Sequence, residues 1–388
     1  MRIAVVGGGA AGCFCAVNAA RCYPEAEIIL YEAGPKLLAK VAVTGGGRCN
    51  LTNSFRDVER LAEVYPRGEQ LMKRALRRFS HEDTMRWFEA EGVRLTVQDD
   101  QCVFPVSQDA MQIVRTLERC LRESGVQVRC NAKVEKAADL DADRIVVAVG
   151  GSSREKLCRL LPPDIDVTPC VPSLFTLKIP DDGLRALMGT VVERTALSLA
   201  GTKFRSRGTL LLTDWGVSGP ATLRLSSYAA RHLAENGYGG TLLVDWLDAS
   251  ETEARAWIAA AAAANPRKQA AGTPPDGITA RLWRHLLQRA GLRDDLRWAE
   301  LGGKGAARLA AVLTADAYPV AGRARFKEEF VTCGGVSLNA IDINTLESKA
   351  HPGLFFAGEA LDVDAVTGGF NLQAAWSTGF VAACGLAR

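Results

Sequence analysis

The first thirty residues alternate between short apolar runs and a segment of small residues. Residues 2–6 read RIAVV and residues 27–32 read EIILYE, with GGGAAG and then CFCAVNAARCY between them. Short continuous apolar runs rich in β-branched residues predict buried parallel strands, and the small-residue segment predicts a helix. The pattern therefore predicts a strand, a glycine-rich turn, a helix and a second strand, as at the start of an α/β domain.

Further along, apolar residues at helical spacing predict a helix over 111–125 (MQIVRTLERCLRESG). Two apolar runs follow, VQVRCNAKVEKAA at 126–138 and DADRIVVAVGG at 141–151, and they predict a hairpin whose second strand is buried and ends on a glycine pair. Near the C-terminus, LFFAG at 354–358 predicts another buried strand, and the text after Gly368-Gly369 predicts a helix.

The middle of the chain has a different residue pattern. Strand signals lie at 173–180, 189–201, 206–214 and 241–246, whereas the segment 249–316 has a helical pattern and is rich in Ala, Arg and Leu. Ser250 followed by Glu251 and Glu253 suits a helix start. The chain then returns through 326–349. We expect an α/β protein: a Rossmann-like domain built from both chain ends (1–167 and 317–388), interrupted by a β-rich, barrel-like domain (168–248) with a helical insert (249–316).

Composition narrows the class of protein. The 388 residues are 48% hydrophobic and 23% charged, as in soluble globular proteins, and the net charge is only +3. We therefore expect neither a nucleic-acid nor a membrane partner, and we interpret the basic stretch at 67–86 as a solvated helix face. No signal peptide is recognisable, and the Ala-rich run at 254–264 is too short to span a bilayer, so we expect a cytoplasmic protein.

The cysteines and histidines do not predict a metal site. There are eleven cysteines but no Cys-x-x-Cys pair, and the four histidines are far apart in sequence. Cys13 and Cys15 lie two positions apart in an apolar helix and so point in different directions. We expect reduced, mostly buried thiols.

The first glycine turn predicts a dinucleotide site. Gly7-x-Gly9-x-x-Gly12 lies between the predicted strand and helix, so that Gly7 allows the turn, Gly9 lets the backbone approach a pyrophosphate and Gly12 allows close packing. The first helical turn, with Ala10 and Ala11, presents free N–H groups to the phosphates. Glu32 ends the second strand, where a carboxylate accepts hydrogen bonds from ribose and repels a 2′-phosphate. The ligand is therefore FAD or NAD(H) rather than NADP(H).

Other glycine-rich segments favour FAD. Residues 43–53 read VTGGGRCNLTN, and three consecutive glycines exceed what a simple turn requires. The strand ending on Gly150-Gly151 resembles the second nucleotide-contacting strand of flavoproteins with two dinucleotide-binding domains. Gly358-Glu359 at a strand end resembles the segment that binds the flavin ribityl chain and phosphate. A helix beginning near Asn371 would direct its positive end at the flavin and stabilise its reduced form.

Together these motifs resemble one family. GGGAAG, TGGGRCNLTN, CVFPVSQDA and GEALDVDAVTGGFNLQAAWSTG are similar to bacterial flavoproteins of the BaiN / aminoacetone-oxidase type. The middle segment LLTDWGVSGPATLRLS at 211–226 is similar to that family's T-x-x-G-x-S-G-P segment. The chain departs from the family after Gly151, where many members carry a longer glycine-rich loop and this chain reads SSREKLCRLLPPDIDV.

The resemblance implies which residues contact FAD. The loop after Glu32 would run beside the pyrophosphate and the isoalloxazine ring, and a backbone segment near Val134 would bond the adenine. Beyond those already named, the implied cofactor-binding residues are Lys40, Thr44, Gly45, Gly46, Gly47, Arg48, Asn50, Gly150, Gly151, Gly358, Glu359, Asp364, Gly369, Asn371 and Leu372. Candidates for a catalytic role are Arg48, Cys49 and Asn371. Cys49 has no partner cysteine in its motif, which disfavours a disulfide reductase and leaves packing or a functional thiol near the flavin.

We expect an FAD-dependent oxidoreductase that acts on a small organic molecule held between the insert and the flavin. No second GxGxxG follows a strand, so NADH or NADPH would bind transiently and reduce the flavin. The resemblance implies reduction of an activated double bond, in a steroid-like substrate. Two alternatives stay open: a flavin oxidase of small amines that produces peroxide, and a flavin-binding RNA-modification or regulatory protein.

Overall fold

A computed structural model describes residues 1–324 and 331–387. The predicted return of the chain through 326–349 therefore begins outside the described residues. The helices are α1 Ala10–Cys22, α2 Thr44–Gly47, α3 Leu61–Val64, α4 Glu69–Arg78, α5 His81–Ala90, α6 Ala110–Glu123, α7 Arg154–Leu160, α8 Asp182–Arg185, α9 Pro220–Tyr228, α10 Ala230–Glu235, α11 Glu251–Ala264, α12 Ala280–Arg289, α13 Gly302–Ala315 and α14 Phe370–Gly385. The strands are β1 Arg2–Val6, β2 Glu27–Tyr31, β3 Thr52–Asn53, β4 Leu95–Val97, β5 Cys102–Pro105, β6 Gln127–Arg129, β7 Arg144–Val147, β8 Val167–Ser173, β9 Leu177–Lys178, β10 Val191–Leu199, β11 Arg205–Thr213, β12 Gly216–Ser218, β13 Gly239–Asp245, β14 Asp316–Ala321, β15 Val331–Val336 and β16 Leu354–Phe356.

The chain divides into two units. Residues 1–171 and the chain from 331 onward form the first, and the chain between them forms the second. Strand β14 pairs with β13 in the second unit, so the chain leaves that unit after β14 and not at 317, where the sequence places the boundary. Among the described residues, no helix is long and apolar enough to cross a membrane.

The first unit is built on a parallel sheet with the strand order β16-β7-β1-β2-β6. Strand β1 lies in the centre, its last four residues are buried, and its register with β2 pairs Val6 with Tyr31. The predicted hairpin over 126–151 is wrong: β6 pairs with β2 and β7 pairs with β1 and β16, all in parallel. The carboxyl ends of these strands therefore meet at one edge of the sheet, where ligands of such folds bind.

Helices α1 and α14 pack closely over this sheet because small residues face each other. A Cβ added at Gly379 would lie 2.7 Å from the carbonyl oxygen of Ala11, so only glycine permits this approach. Nine of the thirteen residues of α1 are buried, which explains why the helix lacks a polar face. Helix α1 begins directly after the glycine turn that follows β1, and Gly379 of α14 packs against its first turn.

The second unit is the predicted β-rich domain with its helical insert. Its six-stranded sheet has the order β14-β13-β10-β11-β12-β9, the pairings are antiparallel, and a bridge between Leu177 and Arg323 nearly closes it into a barrel. The helices α11 to α13 cover a core that includes the fully buried Trp246, Trp283 and Trp298. Ser250 caps α11, as expected, in a reciprocal pair of hydrogen bonds with Glu253. The predicted fold class is confirmed.

Candidate cofactor site

Two different physical causes favour glycine in the first turn. A Cβ at Gly7 would lie 2.3 Å from the carbonyl oxygen of Ala148, and one at Gly12 would lie 1.9 Å from that of Gly7. Gly9 is different: its φ of −84° suits any residue, and a Cβ there would meet no atom within 4 Å. No atom of the described residues requires glycine at position 9, so the open space beside it fits a group from outside the chain, such as a pyrophosphate.

Glu32 lies directly beside this turn. Its carboxylate accepts hydrogen bonds from the backbone N–H groups of Gly8 and Gly34, each at 2.7 Å, which fixes both oxygens at the end of β2. Each carboxylate oxygen has lone pairs left to accept further hydrogen bonds from ribose hydroxyls. This arrangement fits the predicted ribose site.

The segment expected to bond adenine lies next to Glu32 but is not a strand. The N–H of Ala132 donates to the carbonyl of Glu32 at 2.9 Å, which holds the chain after β6 beside the turn. The strand ends at Arg129, so the sequence-based strand around Val134 is wrong, and Val134 lies in a half-buried loop. Within the described residues neither its N–H nor its C=O has a hydrogen-bond partner, which leaves both available to a purine edge.

The second glycine loop forms a short, mostly left-handed turn. Gly45, Gly46 and Gly47 have φ values of 57°, 69° and 82°, which only glycine adopts at no steric cost. A Cβ at Gly45 would lie 2.8 Å from the N of Asn50, whereas Gly46 and Gly47 face open space. The preceding Thr44 directs its hydroxyl at the carbonyl of Val41 and so closes the turn at its start. The three glycines therefore serve the backbone conformation, and two of them also leave room for a ligand.

Arg48 and Cys49 at the end of this loop have opposite environments. The guanidinium of Arg48 is exposed, lies 4.4 Å from the ring centroid of Phe104, and donates to the carbonyl of Gly45. Cys49 is fully buried, and burial raises the pKa of its thiol to about 12. A thiol with that pKa stays protonated at neutral pH and is a poor nucleophile. The packing interpretation of Cys49 is therefore favoured.

The carboxyl ends of β7 and β16 are joined through Glu359. Its carboxylate accepts hydrogen bonds from the N–H groups of Gly151, at 2.9 Å, and Thr332, at 2.7 Å, and it lies 3.8 Å from the Lys40 ammonium. A Cβ at Gly151 would collide with the Thr332 hydroxyl at 2.4 Å. Adjacent to them, Gly150 and Gly358 have left-handed φ values of 71° and 65°. The structure thus brings together two predicted motifs that are more than 200 residues apart.

The start of α14 is organised by side chains that the sequence assigned to the cofactor. The side-chain amide of Asn371 donates to the carbonyl of Ala365 and accepts from its N–H, both at 2.9 Å. The Asn50 amide, oriented to satisfy its hydrogen bonds, accepts from the N–H of Gly369 at 3.1 Å. What the helix start offers a ligand is therefore the backbone N–H of Asn371 and of Leu372, which have no intrahelical partner.

Asp364 has a protein partner that the sequence did not reveal. Its carboxylate is fully buried and is bound by two nitrogens of Arg67, with the Nε to Oδ1 distance at 2.6 Å. The backbones of the two residues also form an isolated antiparallel bridge. Asp364 thus forms an ion pair that holds the segment before α14, and its expected contact with the cofactor stays a prediction.

Backbone strain is concentrated around the second glycine loop. Of the non-glycine residues with left-handed φ, five belong to this loop or to the segments next to it: Leu38, Cys49, Phe55, Gln101 and Gln108. Such conformations cost of order 1–3 kcal/mol each and accumulate at ligand sites.

The ring of Phe55 stacks on His81 at 4.8 Å and meets Phe370 edge-on at 5.1 Å. Sequence reasoning missed this aromatic cluster, because nothing in the local pattern places His81 near the start of α14.

Comparisons with known proteins agree with the geometry. The model of the HI0933-like protein Rossmann domain matches residues 1–161, and that of the HI0933-like protein barrel and H2TH domain matches residues 171–331. A 3-dehydro-bile acid delta(4,6)-reductase of Clostridium scindens is 28% identical, with 98% of each chain covered. Ribosomal RNA dihydrouridine synthases of Escherichia coli and Haemophilus influenzae are 28% and 26% identical, with at least 96% of each chain covered.

The two family models match the N-terminal part of the first unit and the second unit, and the glycine turn, Glu32 and the open space beside Gly9 fit an adenine dinucleotide. The family includes flavoprotein oxidoreductases of the BaiN type. The chain therefore belongs to the HI0933-like family, and it is an FAD-dependent oxidoreductase.

Proposed function

We propose that this enzyme uses NADH or NADPH to reduce a carbon–carbon double bond conjugated to a carbonyl group in a small, steroid-like molecule. The observation that carries the proposal is what the relatives have in common. A delta(4,6)-reductase of a 3-dehydro bile acid and a dihydrouridine synthase both, by name, saturate a carbon–carbon double bond near a carbonyl, and each aligns with nearly the whole chain. Because the relatives share a reaction but act on unlike substrates, they support the type of reaction proposed for this enzyme more strongly than they support either substrate.

The described residues support this chemistry in two ways. Cys49 is a buried, protonated thiol, which disfavours thiol–disulfide exchange beside the cofactor. The N-terminus of α14 presents the N–H groups of Asn371 and Leu372, and a helix N-terminus stabilises negative charge. The N–H groups of Asn371 and Leu372 would hold the flavin ring and stabilise negative charge on it, and FAD, when bound, would supply the hydride-transfer chemistry.

A second candidate substrate is a uridine in ribosomal RNA. Two of the relatives carry that activity in their names. One face of α4 also carries Lys73, Arg74, Arg77 and Arg78, all exposed, and no carboxylate forms an ion pair with them in the described residues. Such a face fits a phosphate backbone, although the small net charge of the chain favours a small molecule.

The test is anaerobic stopped-flow absorbance of the FAD-loaded enzyme. We expect NADH or NADPH to bleach the flavin under argon, and a steroid 4-en-3-one to restore its colour faster than air does. Purified bacterial ribosomal RNA lacking dihydrouridine serves as the second acceptor, with free uridine as its control. If neither nicotinamide bleaches the flavin, while a primary amine does and peroxide accumulates in air, the enzyme is an oxidase and the proposal fails.

A further inference from the structure

The C-terminal ends of α1 and α14 are held together by one tyrosine. The hydroxyl of Tyr23, the residue after α1, donates to the carbonyl oxygen of Cys384 at 3.2 Å and accepts from the N–H of Ala387 at 3.1 Å. These contacts hold the C-terminal end of α1, which includes Cys22, against the last turn of α14, which includes Cys384. The two residues are 362 positions apart in the sequence, yet they lie at the same end of a closely packed helix pair.

Cys22 lies near enough to Cys384 to raise the pKa of its thiol, and the two cysteines differ in exposure. Cys22 is exposed, whereas Cys384 is half-buried. Burial, followed by the nearby Cys22, raises the pKa of Cys384 to about 11, and Arg78 partly opposes that rise. An exposed thiol beside a half-buried one is the arrangement of an attacked and a resolving cysteine.

We propose that Cys22 and Cys384 form a reversible disulfide when the enzyme meets a peroxide. The Cys22 thiolate attacks hydrogen peroxide, which converts the thiol to a sulfenic acid and releases one water. The Cys384 thiol then gives up its proton as its sulfur attacks the Cys22 sulfur, the S–O bond breaks, and the hydroxyl leaves with that proton as a second water. Two thiols are oxidised by two electrons, peroxide is reduced by two, and a dithiol restores both cysteines. The site is independent of the substrate proposed above.

Peptide mapping of the FAD-loaded enzyme tests the proposal. The protein is treated with hydrogen peroxide at pH 8, free thiols are alkylated, and the protein is digested with trypsin without reductant. The expected product is residues 22–36 linked to residues 350–388, since each of these tryptic peptides contains one cysteine. Dithiothreitol should separate the two peptides and return both thiols.

Variants make the result specific. C22S and C384S should each abolish the linked peptide, whereas C158S, which removes another exposed cysteine, should retain it. C22S alters an exposed residue at a helix end, so it is expected to fold. The proposal is wrong if Cys22 is recovered only as a sulfinic acid or in a disulfide between two chains while Cys384 stays alkylated. It is also wrong if the linked peptide persists in C22S.

Discussion

Gly9 and Gly12 offer a direct test of which glycines in the first turn serve the ligand. A Cβ at position 9 would meet no protein atom within 4 Å, so Gly9→Ala and Gly9→Val should leave the FAD-free protein almost as stable as before. Gly→Ala in a compatible conformation gains about 0.4–1 kcal/mol, and losing glycine at a helix N-cap costs about the same. A Cβ at position 12 would lie 1.9 Å from the carbonyl oxygen of Gly7, so Gly12→Ala should lose about 1–3 kcal/mol.

FAD affinity should respond differently from stability. The isopropyl group of Gly9→Val would fill the space expected for the pyrophosphate and remove at least two charge-assisted hydrogen bonds, worth about 1.5–3 kcal/mol each. That predicts a loss of FAD affinity of about 10²- to 10⁴-fold.

Thermal denaturation of the FAD-free proteins and titration of FAD by fluorescence quenching give the two numbers separately. The reasoning is refuted if Gly9→Val binds FAD as tightly as the parent, or if its FAD-free form melts as low as that of Gly12→Ala.

Three further predictions concern charged or buried side chains. Glu32→Ala should weaken FAD binding by about 1–3 kcal/mol, whereas Glu32→Gln should lose less because it keeps acceptor capacity; equal losses by titration would contradict a ribose contact. Cys49→Ser should keep kcat within about tenfold, since the buried thiol is protonated; a loss above about a hundredfold with FAD still bound would place the thiol in the chemistry. Arg67→Ala should lower the free energy of unfolding by about 3–5 kcal/mol by leaving the buried Asp364 unpaired, and the double variant with Asp364→Leu should recover part of it in urea denaturation. Full additivity of the two changes would show that the pair does not interact.

Local patterns were sufficient where one short segment determines the geometry. The run RIAVV, the glycine turn and EIILY became β1, the start of α1 and β2, because an apolar run, a tight turn and small helix residues each have one favourable conformation. The fold class followed from such segments. The pairing of 126–138 with 141–151 did not, because periodicity identifies a strand but not its partner. Strands β6 and β7 lie on opposite sides of the β1–β2 pair, and only the packed sheet decides that.

Local patterns also do not show which partner a polar side chain has, and this explains why some predicted site residues have protein partners in the structure. Asp364 follows a strand and a glycine-rich segment, which is where flavoproteins place groups that contact the cofactor, yet its carboxylate is bound by Arg67 from nearly 300 residues earlier. Asn371 likewise directs its side chain to Ala365, and its backbone N–H has no partner within the helix. The role of a glycine is predicted from sequence more reliably than that of a polar side chain, because a left-handed φ or a steric collision is a property of the local backbone. A carboxylate or amide can serve a ligand or the protein equally well, and its partner is set by contacts that no local pattern encodes. Stability measurements without FAD separate the two roles: loss of a residue that serves the ligand alone leaves the FAD-free protein unchanged, whereas loss of Asp364 should not.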